Sequence, residues 1–187
     1  MPEPRSPAIR VLLAEDQDMV RGALAALLSL ESDIEIVAQV ERGDEVVGAV
    51  RALRPDIVLM DIEMPGMDGI EATAAACAES PNTRVLILTT FGRPGYLRRA
   101  MESGASGFML KDAPSRELAL AVRRVVAGER VIDPQLAAQA LSDGPGPLTG
   151  REREVLVAAA GGSRIAEIAA GLHLSEGTVR NHLSSVI

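Results

Sequence analysis

DIVLMDIEMPGMDGIEAT, residues 56–73, is the stretch that decides the fold. Asp56–Met60 is a near-continuous apolar run reaching Asp61, the pattern of a strand buried on both faces of a parallel sheet. The next residues, IEMPGMDG, carry Pro65, Gly66 and Gly69 and mark a loop. Glu71–Glu79 is Ala-rich and predicts a helix. The same strand, loop and helix order recurs on both sides. Upstream, AIRVLLA (8–14) leads into helical spacing over Asp18–Leu30, with Met19, Val20, Leu24, Leu27 and Leu28 as the apolar stripe. Ile34–Val40 and Asp44–Leu53 form the next pair, stopped by Arg54-Pro55. Downstream come strand Arg84–Leu88, helix Pro94–Glu102, strand Gly107–Leu110 and helix Ser115–Ala127. Five apolar runs alternating with five helical patterns predict an α/β domain, doubly wound about a five-stranded parallel sheet.

Composition narrows what such a domain can be. The chain has 187 residues, 47% of them hydrophobic, but aromatics supply only 2%, so Ala, Leu, Val and Ile must build the core. No apolar stretch approaches the ~20 residues of a membrane span, and no basic segment precedes an apolar one at the start. A single cysteine, Cys77, excludes a disulfide framework and a cysteine metal cage, and its Ala-rich surroundings suit a small core residue. The expectation is a soluble, cytoplasmic protein without membrane insertion. Its net charge is −7, and of 19 cationic residues only Lys111 is a lysine.

From Gly128 the pattern changes. Asp133-Pro134 reads as a cap and first helical residue of a short helix to about Leu141, and SDGPGP (142–147) reads as a linker. Thr149 and Glu152 match a capping box, Gly161-Gly162 closes that helix, Ser163–Gly171 predicts a second, and Ser175 caps a third. The expected division is therefore 1–128, a linker with a short helix over 129–147, and an all-helical domain over 148–187. Residues 1–147 carry 15 Arg+Lys against 22 Asp+Glu, whereas 148–187 carry four of each. The helical part is thus neutral, and charge alone does not point to nucleic acid.

Loops beyond the carboxyl ends of parallel strands gather at one edge, where ligands bind. Glu15 and Asp16 follow the first strand, Asp61 the third, Thr89 the fourth and Lys111 the fifth. Neighbouring carboxylates at about 4 Å repel by roughly 4 kcal/mol per pair at an effective dielectric near 20, so something positive must offset them. Lys111 supplies one charge, and an oxygen-rich acidic pocket suits Mg²⁺. Acids beside a cation and a hydroxyl suit phosphoryl transfer, with a carboxylate able to act as nucleophile.

AEDQ (14–17), LMDIEMPGMDG (59–69), LTT (88–90) and GFMLKD (107–112) resemble the receiver domain of two-component response regulators, whose fold is flavodoxin-like. Spacings of 45, 28 and 22 residues between Asp16, Asp61, Thr89 and Lys111 fit that family. The resemblance implies that Asp61 accepts a phosphoryl group from a sensor histidine kinase. It implies that Asp16, with Glu15 behind it, holds Mg²⁺ together with Asp61 and the backbone carbonyl of Glu63. Lys111 and Thr89 would each bind a phosphoryl oxygen, and Phe108 matches the aromatic switch position. Asp112 stands where many receivers carry proline, and this KD pair resembles the NarL/FixJ subfamily. TTFGRPGY (89–96) further resembles the corresponding loop of its DesR-like group.

LTGREREVLVAAAGGSRIAEIAAGLHLSEGTVRNHLSSVI (148–187) resembles the LuxR-type helix-turn-helix of NarL/FixJ regulators. Ile165, Ile168 and Ala169 would face inward, Gly171 would make the turn, and Leu174 and Val179 would pack the second helix. That helix would enter the major groove of promoter DNA, with Thr178, Arg180, Asn181 and His182 as contacts and Ser175 as cap. Family members continue beyond this helix, so the expectation is a chain cut short at Ile187. The implied function is a transcription factor whose homodimerisation and DNA-binding domain respond to phosphorylation. Two other functions fit the acidic edge: a Mg²⁺-dependent phosphohydrolase with Asp61 as nucleophile, and an unphosphorylated receiver scaffold. Against the first, the residue two after Asp61 is Glu63 in a tight loop; against the second stands the intact set of acids, Thr89 and Lys111. His173 and His182 form no catalytic pair or metal-spaced cluster.

Overall fold

In the computed structural model the described residues are 8–90, 95–142, 150–160, 164–172 and 174–184. The expectations for residues 91–94, for the linker and Thr149 cap within 143–149, for 161–163, for His173 and for Ile187 lie outside them. The described elements run β1 (Ile9–Ala14), α1 (Asp18–Leu28), β2 (Ile34–Val40), α2 (Gly43–Leu53), β3 (Ile57–Asp61), α3 (Gly69–Glu79), β4 (Arg84–Thr89), α4 (Tyr96–Glu102), β5 (Gly107–Leu110), α5 (Ser115–Val126), β6 (Val131–Ile132), α6 (Pro134–Ser142), α7 (Gly150–Ala160), α8 (Ile165–Gly171) and α9 (Glu176–Ser184). The sheet is parallel throughout, in the order β2-β1-β3-β4-β5-β6. The strand order reverses between β1 and β3, which places their carboxyl ends at the switch point of the sheet.

Alternation along the strands explains why the apolar runs are continuous. Leu12 and Ala14 of β1, Val58 and Met60 of β3, Val85 and Ile87 of β4 and Phe108 of β5 pack with Val46, Val50, Ile70 and Ala76 from α2 and α3. The intervening Val11, Leu13, Ile57, Leu59, Leu86, Leu88 and Met109 pack with Leu24 and Leu28 of α1 and with Leu118, Val122 and Val125 of α5. Every residue of β3 is buried, as a central strand covered on both faces requires.

Three details depart from the sequence pattern. The parallel sheet has a sixth strand at its edge, β6, where Val131 and Ile132 pair with Gly107 and Phe108. Two residues leave no periodicity to detect. In α1, Leu24 and Leu28 are buried, but Met19 is 86% exposed and Leu27 41% exposed. At 100° per residue Met19 points opposite Leu28, so the inward stripe is narrower than the five apolar positions suggest. Finally, α3 begins at Gly69 rather than Glu71, because Asp68 caps it by accepting from the backbone N–H groups of Ile70 and Glu71, both at 2.8 Å.

A second compact unit holds α7, α8 and α9. Its core is Val155, Ile168, Ala169 and Val179, with Ala158, Ala159, Ile165, Leu172, Leu174 and Leu183 packed around them. Arg164 opens α8 through its backbone N–H, which donates to Glu167 Oε2 at 2.9 Å. Ser175 Oγ accepts from the Thr178 N–H at 3.1 Å and so caps α9. No helix among the described residues is long and apolar enough to cross a membrane.

Candidate functional site

The chain direction of the parallel strands delivers the polar residues to one edge. Asp61 and Thr89 are the last residues of β3 and β4, Glu15 and Asp16 follow β1 directly, and Lys111 follows β5. Lys111 Nζ lies 2.7 Å from Glu15 Oε2 and 2.9 Å from Asp61 Oδ1, with all three side chains buried. Glu15, Asp16 and Asp61 each offer a carboxylate oxygen, and these oxygens lie within 4.8 Å of one another. Asp16 is exposed, so the cluster opens to solvent on its side. The backbone N–H of Ile62 donates to Asp61 Oδ1 at 2.7 Å, and that of Lys111 donates to the Thr89 carbonyl at 2.7 Å. The hydroxyl-bearing Thr89 is itself buried.

Electrostatics follow from this burial. Loss of water pushes the Asp61 carboxyl up to about 6; Lys111 opposes the rise and Glu15 adds to it. Burial alone would lower the Lys111 ammonium, but its hydrogen bonds to Glu15 and Asp61 prevail and hold it above its ordinary value. The lysine therefore stays charged at neutral pH. Both contacts to Asp61 fall on Oδ1, which leaves Oδ2 as the oxygen with attacking capacity.

The loop after β3 is fixed by sterics. A Cβ on Gly69 would lie 1.8 Å from the Asp61 carbonyl oxygen, so only glycine lets α3 start this close to the strand end. Gly66 turns the same loop at φ +82°. Glu63, between these glycines and Asp61, is exposed. Phe108 is fully buried among the α3-side core residues, paired with Ile87 on one side and Ile132 on the other. Cys77 is half-buried on α3, its Sγ 3.6 Å from the Gly104 carbonyl, and burial raises its thiol.

Arg21 is a residue that the sequence pattern did not bring forward. It is buried in α1, and its Nη1 donates to the Glu15 carbonyl at 2.6 Å. An arginine one position after Val20 reads as solvated surface; only its spacing from Asp18 hinted at a partner.

The residues expected to meet DNA lie in the second unit, on α9 and its cap. Ser175 Oγ and Thr178 Oγ1 are 2.7 Å apart, and Arg180 Nη2 lies 3.2 Å from Glu176 Oε2. Arg180 and Asn181 are exposed, and His182 is half-buried.

Residues 11–123 match the family model of the response regulator receiver domain, and residues 146–187 match that of the bacterial regulatory proteins of the luxR family. The transcriptional regulatory protein DesR of Bacillus subtilis is 45% identical over 179 residues, covering 96% of this chain and 88% of DesR. Response regulator protein VraR of Staphylococcus aureus is 35% identical over 185 residues, with 96% and 88% covered. Among solved structures, the response regulator ChrA of a heme-sensing two-component system superposes with a TM-score of 0.63 at 37% identity, over 96% of this chain and 88% of that one. The phosphohydrolase and scaffold alternatives find no support in these likenesses.

Proposed function

The chain belongs to the two-component response regulators that join a receiver domain to a LuxR-type DNA-binding domain, and on that premise we propose that Asp61 is the phosphoacceptor that switches it. The observation that carries this is the buried Lys111 bridge between Glu15 and Asp61, with Asp16 at its open side. We assign residues 1–128 to the receiver, 129–147 to the linker and 148–187 to the helix-turn-helix.

In the proposed reaction, Asp61 Oδ2 attacks the phosphorus of a phosphohistidine on a sensor kinase. The O–P bond forms as the N–P bond breaks, and the imidazole leaves with its electron pair and takes up a proton. Lys111 then turns from Asp61 to a phosphoryl oxygen, and the Thr89 hydroxyl donates to another. Preorganised charge of this kind is what phosphoryl transfer requires of a protein. Three carboxylate oxygens within one small pocket form a hard donor set suited to Mg²⁺. Asp16, Asp61 and the Glu63 backbone carbonyl would hold the ion, with Glu15 completing the acidic set. When bound, Mg²⁺ neutralises charge on the transferring oxygens. Hydrolysis of the acyl phosphate resets the switch, so turnover is confined to the protein's own Asp61.

Phosphorylation then biases the packing of α4 and β5, in which Phe108 is the buried aromatic, and this governs homodimerisation and the engagement of promoter DNA by Thr178, Arg180, Asn181 and His182, with Ser175 as cap. We place the protein in the cytoplasm, where kinase and DNA are both accessible. Intact-mass measurement after incubation with acetyl phosphate and Mg²⁺ tests the central step. The chain should gain one phosphoryl group, and Asp61→Asn should gain none. Equal labelling of that variant would refute the assignment.

A further inference from the structure

Arg21 is a buried cation that the reaction above leaves without a task. Its side chain is 11% exposed, and its guanidinium reaches in three directions. Nη1 donates to the Glu15 carbonyl at 2.6 Å, while Nη2 donates to Glu41 Oε1, just beyond β2, at 2.7 Å and to Asp18 Oδ1. A planar fork with fixed donor directions couples these three points rigidly.

The Glu15 carbonyl belongs to the peptide plane whose other half is the Asp16 N–H. Fixing that oxygen fixes the plane, and with it the direction in which Asp16 projects its side chain. Among the described residues the other restraints on this turn fall on Glu15 and Gln17: the Glu15 N–H donates to the Val40 carbonyl at 3.1 Å, Lys111 holds the Glu15 carboxylate, the Gln17 N–H donates to Glu15 Oε1 at 3.2 Å, and the Gln17 carbonyl accepts from the Arg21 N–H at 2.9 Å. The Asp16 carboxylate makes no hydrogen bond or ion pair with the described residues. Its aim toward Asp61 therefore depends on the backbone that Arg21 holds. Two carboxylates already neutralise the guanidinium, so it acts on the pocket by geometry rather than by its field.

We infer that Arg21 is a positioning residue for metal uptake: anchored by Glu41 and Asp18, it sets the Glu15–Asp16 peptide so that Asp16 joins Asp61 in holding the divalent cation. This rests on the Mg²⁺ assignment made above. Residues one step removed from a metal commonly change affinity by about 10–100-fold when altered, which sets the expected scale.

The test is calorimetric titration of the full chain with Mg²⁺, alongside thermal melting without metal. Arg21→Lys keeps the charge but loses the fork, and it should weaken Mg²⁺ binding about tenfold or more. Glu41→Gln leaves Arg21 in place but loosens its anchor at an exposed position, and it should weaken binding about threefold while melting like the parent. ¹⁵N relaxation should show greater mobility of the Asp16 amide in both. If Arg21→Lys does not fold, Glu41→Gln decides. Mg²⁺ affinity within about twofold of the parent in every folded variant would overturn the inference and leave Arg21 a packing residue. Absence of Mg²⁺ binding by the unaltered chain would instead overturn the metal assignment itself.

Discussion

Asp61 is the residue at which the proposed chemistry and stability oppose each other. Its carboxyl titrates near 6 in the folded chain, against an ordinary value near 3.9 for an unfolded one. Between about pH 4 and 6 the folded state holds a proton that the unfolded state has released, so stability falls as pH rises through this window and levels off above it. The same burial that raises this group keeps water from competing with Lys111, so the cost is intrinsic to the site. Asp61→Asn should therefore stabilise the metal-free protein at pH 7.5 by about 1–3 kcal/mol and flatten the loss between pH 4 and 6, as read by urea denaturation. Glu15, Asp16, Asp61, Thr89 and Lys111 were legible in the sequence because each ends an apolar run, and the end of a buried parallel strand has one place to go. Arg21 was not, and Gly69 was legible only as a loop marker. The first depends on a contact with the carbonyl of a residue six positions back, and the second on how closely α3 approaches Asp61.

Among the elements, α1 shows how a helical stripe can be readable in type and misread in width. Five apolar positions suggested a broad inward face, and the structure commits only Leu24 and Leu28 fully to the core. Leu28→Ala should cost about 2–5 kcal/mol in chemical denaturation, whereas Met19→Ala should fall within about 0.5 kcal/mol of the parent. Equal costs would place α1 in a different rotational setting. The β6 strand lies at the opposite limit of legibility. Its Val131 N–H donates to the Ser106 carbonyl at 3.2 Å, and the Asp133 N–H donates to the Phe108 carbonyl at 2.9 Å, beside the Asp133 cap of α6. The start of α6 is thus bonded to the strand that carries Phe108, and Leu136 of α6 packs in the same core as that ring. This join is tertiary and leaves no periodic trace in two residues.

For the whole molecule, the charge arithmetic separates two kinds of work. The acidic surplus belongs to residues 1–147, and the segment 148–187 is neutral, with Arg151, Arg153, Arg164 and Arg180 as its only cationic side chains besides histidine. Four arginines limit the phosphates that residues 148–187 can neutralise, so the slope of log K against log salt should be no steeper than about −4 per chain. A filter-binding or anisotropy titration across salt concentrations measures it, and a much steeper slope would mean that other charges meet the DNA. The two-part organisation was readable because strand patterns stop near Gly128 and do not return, whereas the neutral charge of the second part gives no sign of nucleic acid, which its helix-turn-helix motif alone carries.

Lys111, finally, is the only side-chain amine in the chain, and it is 6% exposed between two carboxylates. Amine chemistry therefore has one internal address. An amine-directed reagent finds its one side-chain amine at the acidic strand-end pocket, and a protease specific for lysine has a single cleavage position in this sequence. The residue that offsets part of the pocket's negative charge is also a built-in, chemically unique label for it, and a change in its slow acylation reports on rearrangement of its two carboxylate partners.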